Sequence, residues 1–210
     1  KLNDYQFDAL HFTNALGTDL TVGLVENHVW AGGSELAQNG AEFNPNMPTE
    51  ETFTMPHRER THGVVVATKP LNYQGKLIED FTLTFKDGKV IKATAKKEQA
   101  TLDALLATDE GSAYLGEVAL ISHDSPISNM NLLFYNTLFD ENASCHLALG
   151  RAYPMNIKDG QTMDEAELKA KGMNFSLNHE DFMFGSADMK IVGLKNDEEV
   201  LIFDQGNFVI

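Results

Sequence analysis

Cysteine, basic side chains and long apolar runs are what this 210-residue chain is poorest in. A lone Cys145 has no partner for an internal disulfide, so the fold must rest on its core, and the chain suits a reducing compartment, the cytoplasm. Sixteen Lys and Arg stand against 31 Asp and Glu, a formal net charge of −15. Such a chain has little cationic surface with which to neutralise phosphates, which argues against nucleic acid and anionic lipid as partners. No window approaches the ~20 apolar residues of a membrane-spanning helix, and the start lacks the basic-then-apolar pattern of a secretion signal. Internal repeats and low-complexity linkers are also missing. What is present is an ordinary globular composition, 42% hydrophobic and 22% charged, long enough to bury a full core in one domain over 1–210. The chain opens on Lys1 rather than Met and runs at once into Asp4-Tyr5-Gln6-Phe7, which reads as a piece of something longer.

Alternating and β-branched residues predict strands at 10–14, 19–25, 63–68, 77–85 and 90–93. Between the last two, Lys86-Asp87-Gly88-Lys89 reads as a tight hairpin, because Asp-Gly accepts the positive φ values of a two-residue turn. Helical spacing is rarer. Leu102, Leu105 and Leu106 predict a helix within 97–107, and Leu132, Leu133, Tyr135 and Phe139 predict another over 129–139. A third, short helix opens near Thr162, with Thr162 as cap and Glu165 three residues on, and ends by Gly172. The last stretch reads as strands at 189–194, 200–203 and 207–210 around a polar turn. The expected class is α+β, a strand-rich mixed sheet domain with a few packed helices, using strands from both ends of the chain.

Carboxylates and imidazoles inside apolar runs mark the candidate site, since a buried charge needs a partner or a metal. Alternation through Tyr114–Ile121 puts Glu117 on one face with Ala119 and Ile121. An ion pair or an exposed strand start would also satisfy it. In 144–150, His146 shares a side with Ser144 and Ala148, opposite Cys145, Leu147 and Leu149; a hydrogen-bonded core histidine would look the same. His179 and Asp181, two apart, project to one face of an extended strand and make a natural ligand pair for a zinc-like ion. In Pro48-Thr49-Glu50-Glu51-Thr52, one of the two adjacent acids can face inward, and Glu141 lies just ahead of the His146 strand. Such an oxygen-rich set with two imidazoles can hold two divalent ions ~3.5–4 Å apart, as hydrolytic two-metal sites do. His57 and His62, five apart, match neither a helix face nor a strand face, and His11, His28 and His123 read as structural or surface residues. A structural calcium module is disfavoured by the imidazoles, and a cysteine hydrolase by the placement of Cys145 opposite His146.

At these residues the chain resembles the thermophilic-type metalloaminopeptidases, the aminopeptidase T, aminopeptidase S and PepS enzymes of bacteria. The matching strings are Gly17-Thr18-Asp19-Leu20-Thr21-Val22, the run from Asn46-Met47-Pro48 through Glu50-Glu51 to Thr54, Leu115-Gly116-Glu117-Val118-Ala119, Asn142 through Gly150, and His179 through Ser186. They fall in the family's order over nearly the whole chain. The resemblance implies metal ligands at Glu51, Glu117, His146, His179 and Asp181, with Glu141 as a further contact. It prefers Glu51 to Glu50, a choice that one residue of slip reverses. Glu51 or a neighbour would act as the general base, and Tyr153 matches the family's active-site tyrosine. It further implies removal of single N-terminal residues from peptides with a free amino terminus, using two zinc or cobalt ions, magnesium or manganese in their place, in a homodimeric full-length protein. Members carry an additional N-terminal α/β domain, which this chain lacks. The alternative is a metal-binding or interaction domain that is inactive without that half.

Overall fold

The computed structural model describes residues 1–45 and 49–210, so Asn46, Met47 and Pro48 of the quoted string lie outside the described residues. In chain order the strands are β1 (Ala9–Thr13), β2 (Asp19–Leu24), β3 (Glu35–Leu36), β4 (Glu42–Phe43), β5 (Thr52–Thr54), β6 (Pro56–Val66), β7 (Leu71–Tyr73), β8 (Lys76–Lys86), β9 (Lys89–Lys97), β10 (Leu115–Leu120), β11 (His146–Gly150), β12 (His179–Met183), β13 (Lys190–Lys195), β14 (Glu198–Asp204) and β15 (Asn207–Phe208). The α-helices are short: α1 (Leu2–Tyr5), α2 (Gln99–Leu106), α3 (Pro126–Met130), α4 (Thr137–Asp140) and α5 (Glu165–Ala170). A nine-stranded sheet runs β15-β14-β13-β1-β2-β6-β8-β7, with β9 on β8; a four-stranded sheet runs β12-β11-β10-β5; β3 and β4 form a separate hairpin. The class is the strand-rich α+β expected, and every recorded ladder is antiparallel.

The two larger sheets share one core. Phe12 of β1 meets Phe184, just past β12, edge to face at 5.2 Å, and Phe81 of β8 meets Phe182 of β12 at 5.5 Å. Leu147 and Leu149 of β11 are fully buried in the same cluster as Leu10, Leu20, Leu83 and Ile191 from the large sheet. Truncating any one of them to Ala would cost about 2–5 kcal/mol. The Asp87-Gly88 turn has φ of 51° and 78°, the backbone of a two-residue hairpin whose twist matches its strands.

Two local expectations are corrected. The helix expected over 129–139 is interrupted: α3 ends with Asn131 at φ 49°, Tyr135 sits at φ 59°, and Asp140 accepts the backbone N–H groups of Phe134 (2.6 Å) and Asn136 (3.0 Å). Those N–H groups are satisfied by a side chain instead of a preceding turn, and the chain restarts as α4 with Asn136 as its cap. The third helix is capped two residues later than expected, by a reciprocal box in which Asp164 accepts from Glu167 N (2.9 Å) and Glu167 accepts from Asp164 N (2.8 Å).

Candidate metal centre

The core covers one face of the four-stranded sheet; the opposite face carries the charged residues. Register fixes which side chains share it. Ala119 pairs with Phe53 and His146, Ala148 pairs with Glu117 and Asp181, and Gly150 pairs with His179. Side chains alternate along each strand, so Glu117, His146, His179 and Asp181 all point to one side. Glu51, two residues before Phe53, reaches the same side. A bulge makes this possible: Leu115 pairs with Leu149 but Glu117 pairs with Ala148, leaving Gly116 as the extra residue. Leu115 therefore faces the core while Glu117 turns away from it.

Two groups of three ligand atoms result, Glu51 with Glu117 and His146, and Glu117 with His179 and Asp181, the atoms of each group within 4.8 Å of one another. Glu117 belongs to both. His146 Nε2 lies 3.0 Å from Glu51 Oε1 and 3.4 Å from Glu117 Oε1; His179 Nε2 lies 3.7 Å from Glu117 Oε2 and 3.6 Å from Asp181 Oδ2. Each ring is oriented from behind by a backbone carbonyl, Ser144 O at 3.1 Å from His146 Nδ1 and Arg151 O at 2.6 Å from His179 Nδ1. A carbonyl can only accept, so Nδ1 carries the proton and Nε2 is aimed at the carboxylates, the usual arrangement behind a metal-binding imidazole. His146 Nε2 and Asp181 Oδ1 are buried without a hydrogen bond, so the donor set fits a cation between these side chains. Glu50, by contrast, is exposed.

The electrostatics follow from crowding four carboxylates against two imidazoles. Burial pushes Glu117 up to about 6, with His146 opposing and Asp181 adding to the rise. Burial and then the Asp181 charge push Glu141 up to about 9. Burial alone would lower His146, but Glu117 and Glu51 outweigh it and hold the imidazole well above its ordinary value. Tyr153 lies over His179 with ring centroids 4.6 Å apart, and burial followed by the Glu117 and Asp181 charges raises its phenol to about 12. A phenol so raised stays protonated and available as a donor.

Glu51, Glu117, Glu141, Tyr153, His179 and Asp181 line a cavity of about 330 Å³. Its remaining wall includes the loop 31–35, Pro45, Leu138 and Met155, which carried no motif, together with Thr49 and Phe53 of the string that ends at Thr54. The Gly32-Gly33 pair marks a turn in the sequence, but nothing there announces which residue the turn lies against. The other histidines stay out of the site: His11 meets Asp19 at 2.8 Å, His62 lies 3.9 Å from Asp87, and His28 is buried against Val25 O. Cys145 faces the core, bonded to Ile121 O, and burial raises its thiol to about 11, which removes it as a nucleophile at neutral pH.

An antiparallel fold thus carries, on the outer face of its smaller sheet, a carboxylate–imidazole cluster whose donors could hold metal ions. A family model described as thermophilic metalloprotease (M29) matches residues 1–208, and the chain belongs to this family. It is 54% identical to aminopeptidase 2 of Geobacillus stearothermophilus over 208 residues, which cover 99% of this chain and 50% of that protein. Aminopeptidase AmpS of Bacillus subtilis is 53% identical, again covering 99% of this chain and 50% of the relative. The structure of wild-type AmpT from Thermus thermophilus matches with a TM-score of 0.93 at 45% identity, over 100% of this chain and 51% of that one. The chain thus spans about half the length of the relatives it matches.

Proposed function

We propose that this chain is the metal-binding half of an aminopeptidase that removes N-terminal residues from peptides with two divalent ions, zinc or cobalt, or magnesium or manganese in their place. The observation that carries the reading is the pair of three-ligand groups joined through Glu117, with both Nε2 atoms aimed at the carboxylates. Ions bound there would lower the pKa of a water toward about 7 and polarise the scissile carbonyl. Glu117 bridges the two groups, while His146 and Glu51 hold one side and His179 and Asp181 the other. Tyr153 donates its hydroxyl to the oxyanion that forms on the attacked carbonyl. With ions bound, whose charge would draw the proton off Glu141, either Glu51 or Glu141 would take the proton of the attacking water and return it to the leaving amine. The acidic cavity draws in the cationic terminus of the peptide.

The family and the buried cluster support this reading, and the lone buried thiol supports a cytoplasmic setting. No helix among the described residues is long and apolar enough to cross a membrane. A homodimer of the full-length protein belongs to the same reading, supported by exposed Leu132, Tyr135 and Leu138, the last of which lines the cavity. A second reading, a domain that binds metal without turnover, is favoured by its covering half of its relatives' length. Metal content by mass spectrometry after zinc or cobalt loading, paired with hydrolysis of a leucine anilide, separates them. Two ions with turnover support the aminopeptidase half acting alone; two ions without turnover support the second reading; no metal removes both.

A further inference from the structure

Within the two ligand groups, Glu51 is the residue that no strand carries. It precedes β5, yet its side chain is only 10% exposed and reaches His146 Nε2. Its backbone is pressed from the far side by a strap, residues 28–33, that crosses the free edge of β5. Ala31 and Phe53 exchange two backbone hydrogen bonds of 2.9 Å, Thr52 Oγ1 donates to Ala31 O, and Thr54 Oγ1 donates to Val29 O. Upstream, Asn3 accepts from Trp30 N at 2.7 Å and donates to Trp30 O at 3.0 Å.

The strap comes down on Glu51 at Gly32. A Cβ added there would lie 2.2 Å from Glu51 O and 3.1 Å from Thr52 Cα, closer than backbone atoms tolerate, at a φ of +150°. Gly33, the next residue, also has positive φ (+77°), but an added Cβ would meet nothing within 4 Å. The two glycines therefore form a matched pair: both occupy backbone that L side chains avoid, and only one touches the ligand residue.

We propose that Gly32 is a positioning residue for Glu51, its missing side chain letting the strap seat the Glu51 backbone where the carboxylate meets His146. The inference rests on the metal reading above for its consequence, since a displaced Glu51 would weaken the Glu51–Glu117–His146 group and spare His179 with Asp181. The test compares the 210-residue chain with Gly32→Ala, Gly33→Ala and Asn3→Ala. Two measurements are made: zinc stoichiometry and affinity by native mass spectrometry, and the imidazole 15N resonances of His146 in the zinc-free protein. The parent and Gly33→Ala should take up two zinc ions, whereas Gly32→Ala should keep one, bind the other at least about tenfold more weakly, and shift the His146 resonances. Asn3→Ala loosens the strap from a distance and should weaken the same ion about three- to tenfold, as lost hydrogen bonds of this kind do. It decides the matter if Gly32→Ala does not fold. Gly32→Ala with two ions at parental affinity and unmoved His146 resonances overturns the proposal. So does an equal loss in Gly33→Ala, which would make backbone strain the cause, or, with Gly32→Ala unfolded, an Asn3→Ala chain identical to the parent. If even the parent binds no zinc while Gly32→Ala still moves His146, the metal reading falls and the positioning stands.

Discussion

Glu117 presents one carboxylate oxygen to each histidine, 3.4 Å to His146 and 3.7 Å to His179, so both groups depend on it. Glu117→Gln keeps the shape but removes the negative charge and replaces one of the two acceptor oxygens by an NH2 donor, and should abolish uptake of both ions. Metal content settles this, and two retained ions would refute the shared role. Glu51→Gln should lose one ion, because Glu51 belongs to one group. Glu141 belongs to neither, so Glu141→Gln should keep both ions; a fall in turnover with full metal would assign it the proton transfer, and unchanged turnover would leave that to Glu51. Tyr153→Phe likewise keeps both ions and should slow anilide hydrolysis about 10²-fold, as loss of an oxyanion donor does. Full activity in that variant would take Tyr153 out of the chemistry.

Among the elements, β10 matters most, and within it Gly116. An added Cβ would lie 2.3 Å from Arg151 O and 2.5 Å from Gly150 O, so Gly116→Ala must straighten the bulge or push β11 away. We expect a loss of about 1–3 kcal/mol in stability, the usual cost of overpacking, together with reduced zinc content. A thermal melt and metal analysis would show it, and an unaltered melt would mean the bulge is not held by this contact. The same strand shows what could be read from residue order. Alternation sufficed to place Glu117 away from Val118 and Leu120, and to put His179 beside Asp181, because strands repeat every two residues. It could not show that the repeat breaks at Gly116, since a bulge depends on the partner strand. Nor could it show that the apolar spacing of Leu132, Tyr135 and Phe139 belongs to a broken segment, because Asp140 captures the N–H groups that a helix would have used. The carbonyls of Ser144 and Arg151 that aim the two imidazoles were equally hidden, because backbone atoms leave no mark in sequence.

For the molecule as a whole, the crowded carboxylates set the direction of its response to pH. Unfolded glutamates lose their protons near 4.5, whereas folded Glu117 and Glu141 hold theirs to about 6 and about 9. At these two carboxyls the native metal-free chain therefore binds more protons over that interval, which makes the unfolding free energy fall as pH rises from about 4.5 toward 9, against the opposite pull of His28 and His57, which burial holds below the usual imidazole value. His146, raised above 6.5, adds to the same trend once pH passes that value. Melting in a chelator at pH 5 and pH 8.5 should give the lower midpoint at pH 8.5; the reverse order would mean that the cluster does not govern stability. Zinc should displace these protons, so titration in weak buffer should acidify the solution. The architecture also bears on ion size. Glu117, His146, His179 and Asp181 are mounted on β10, β11 and β12, whose separation of about 4.8 Å is set by backbone hydrogen bonds and cannot stretch to suit a guest. Glu51 stands off that grid, so in the group it shares with Glu117 and His146 the fit to a larger ion falls to the strap that seats it, while the side built from Glu117, His179 and Asp181, carried wholly on strands, has no such freedom.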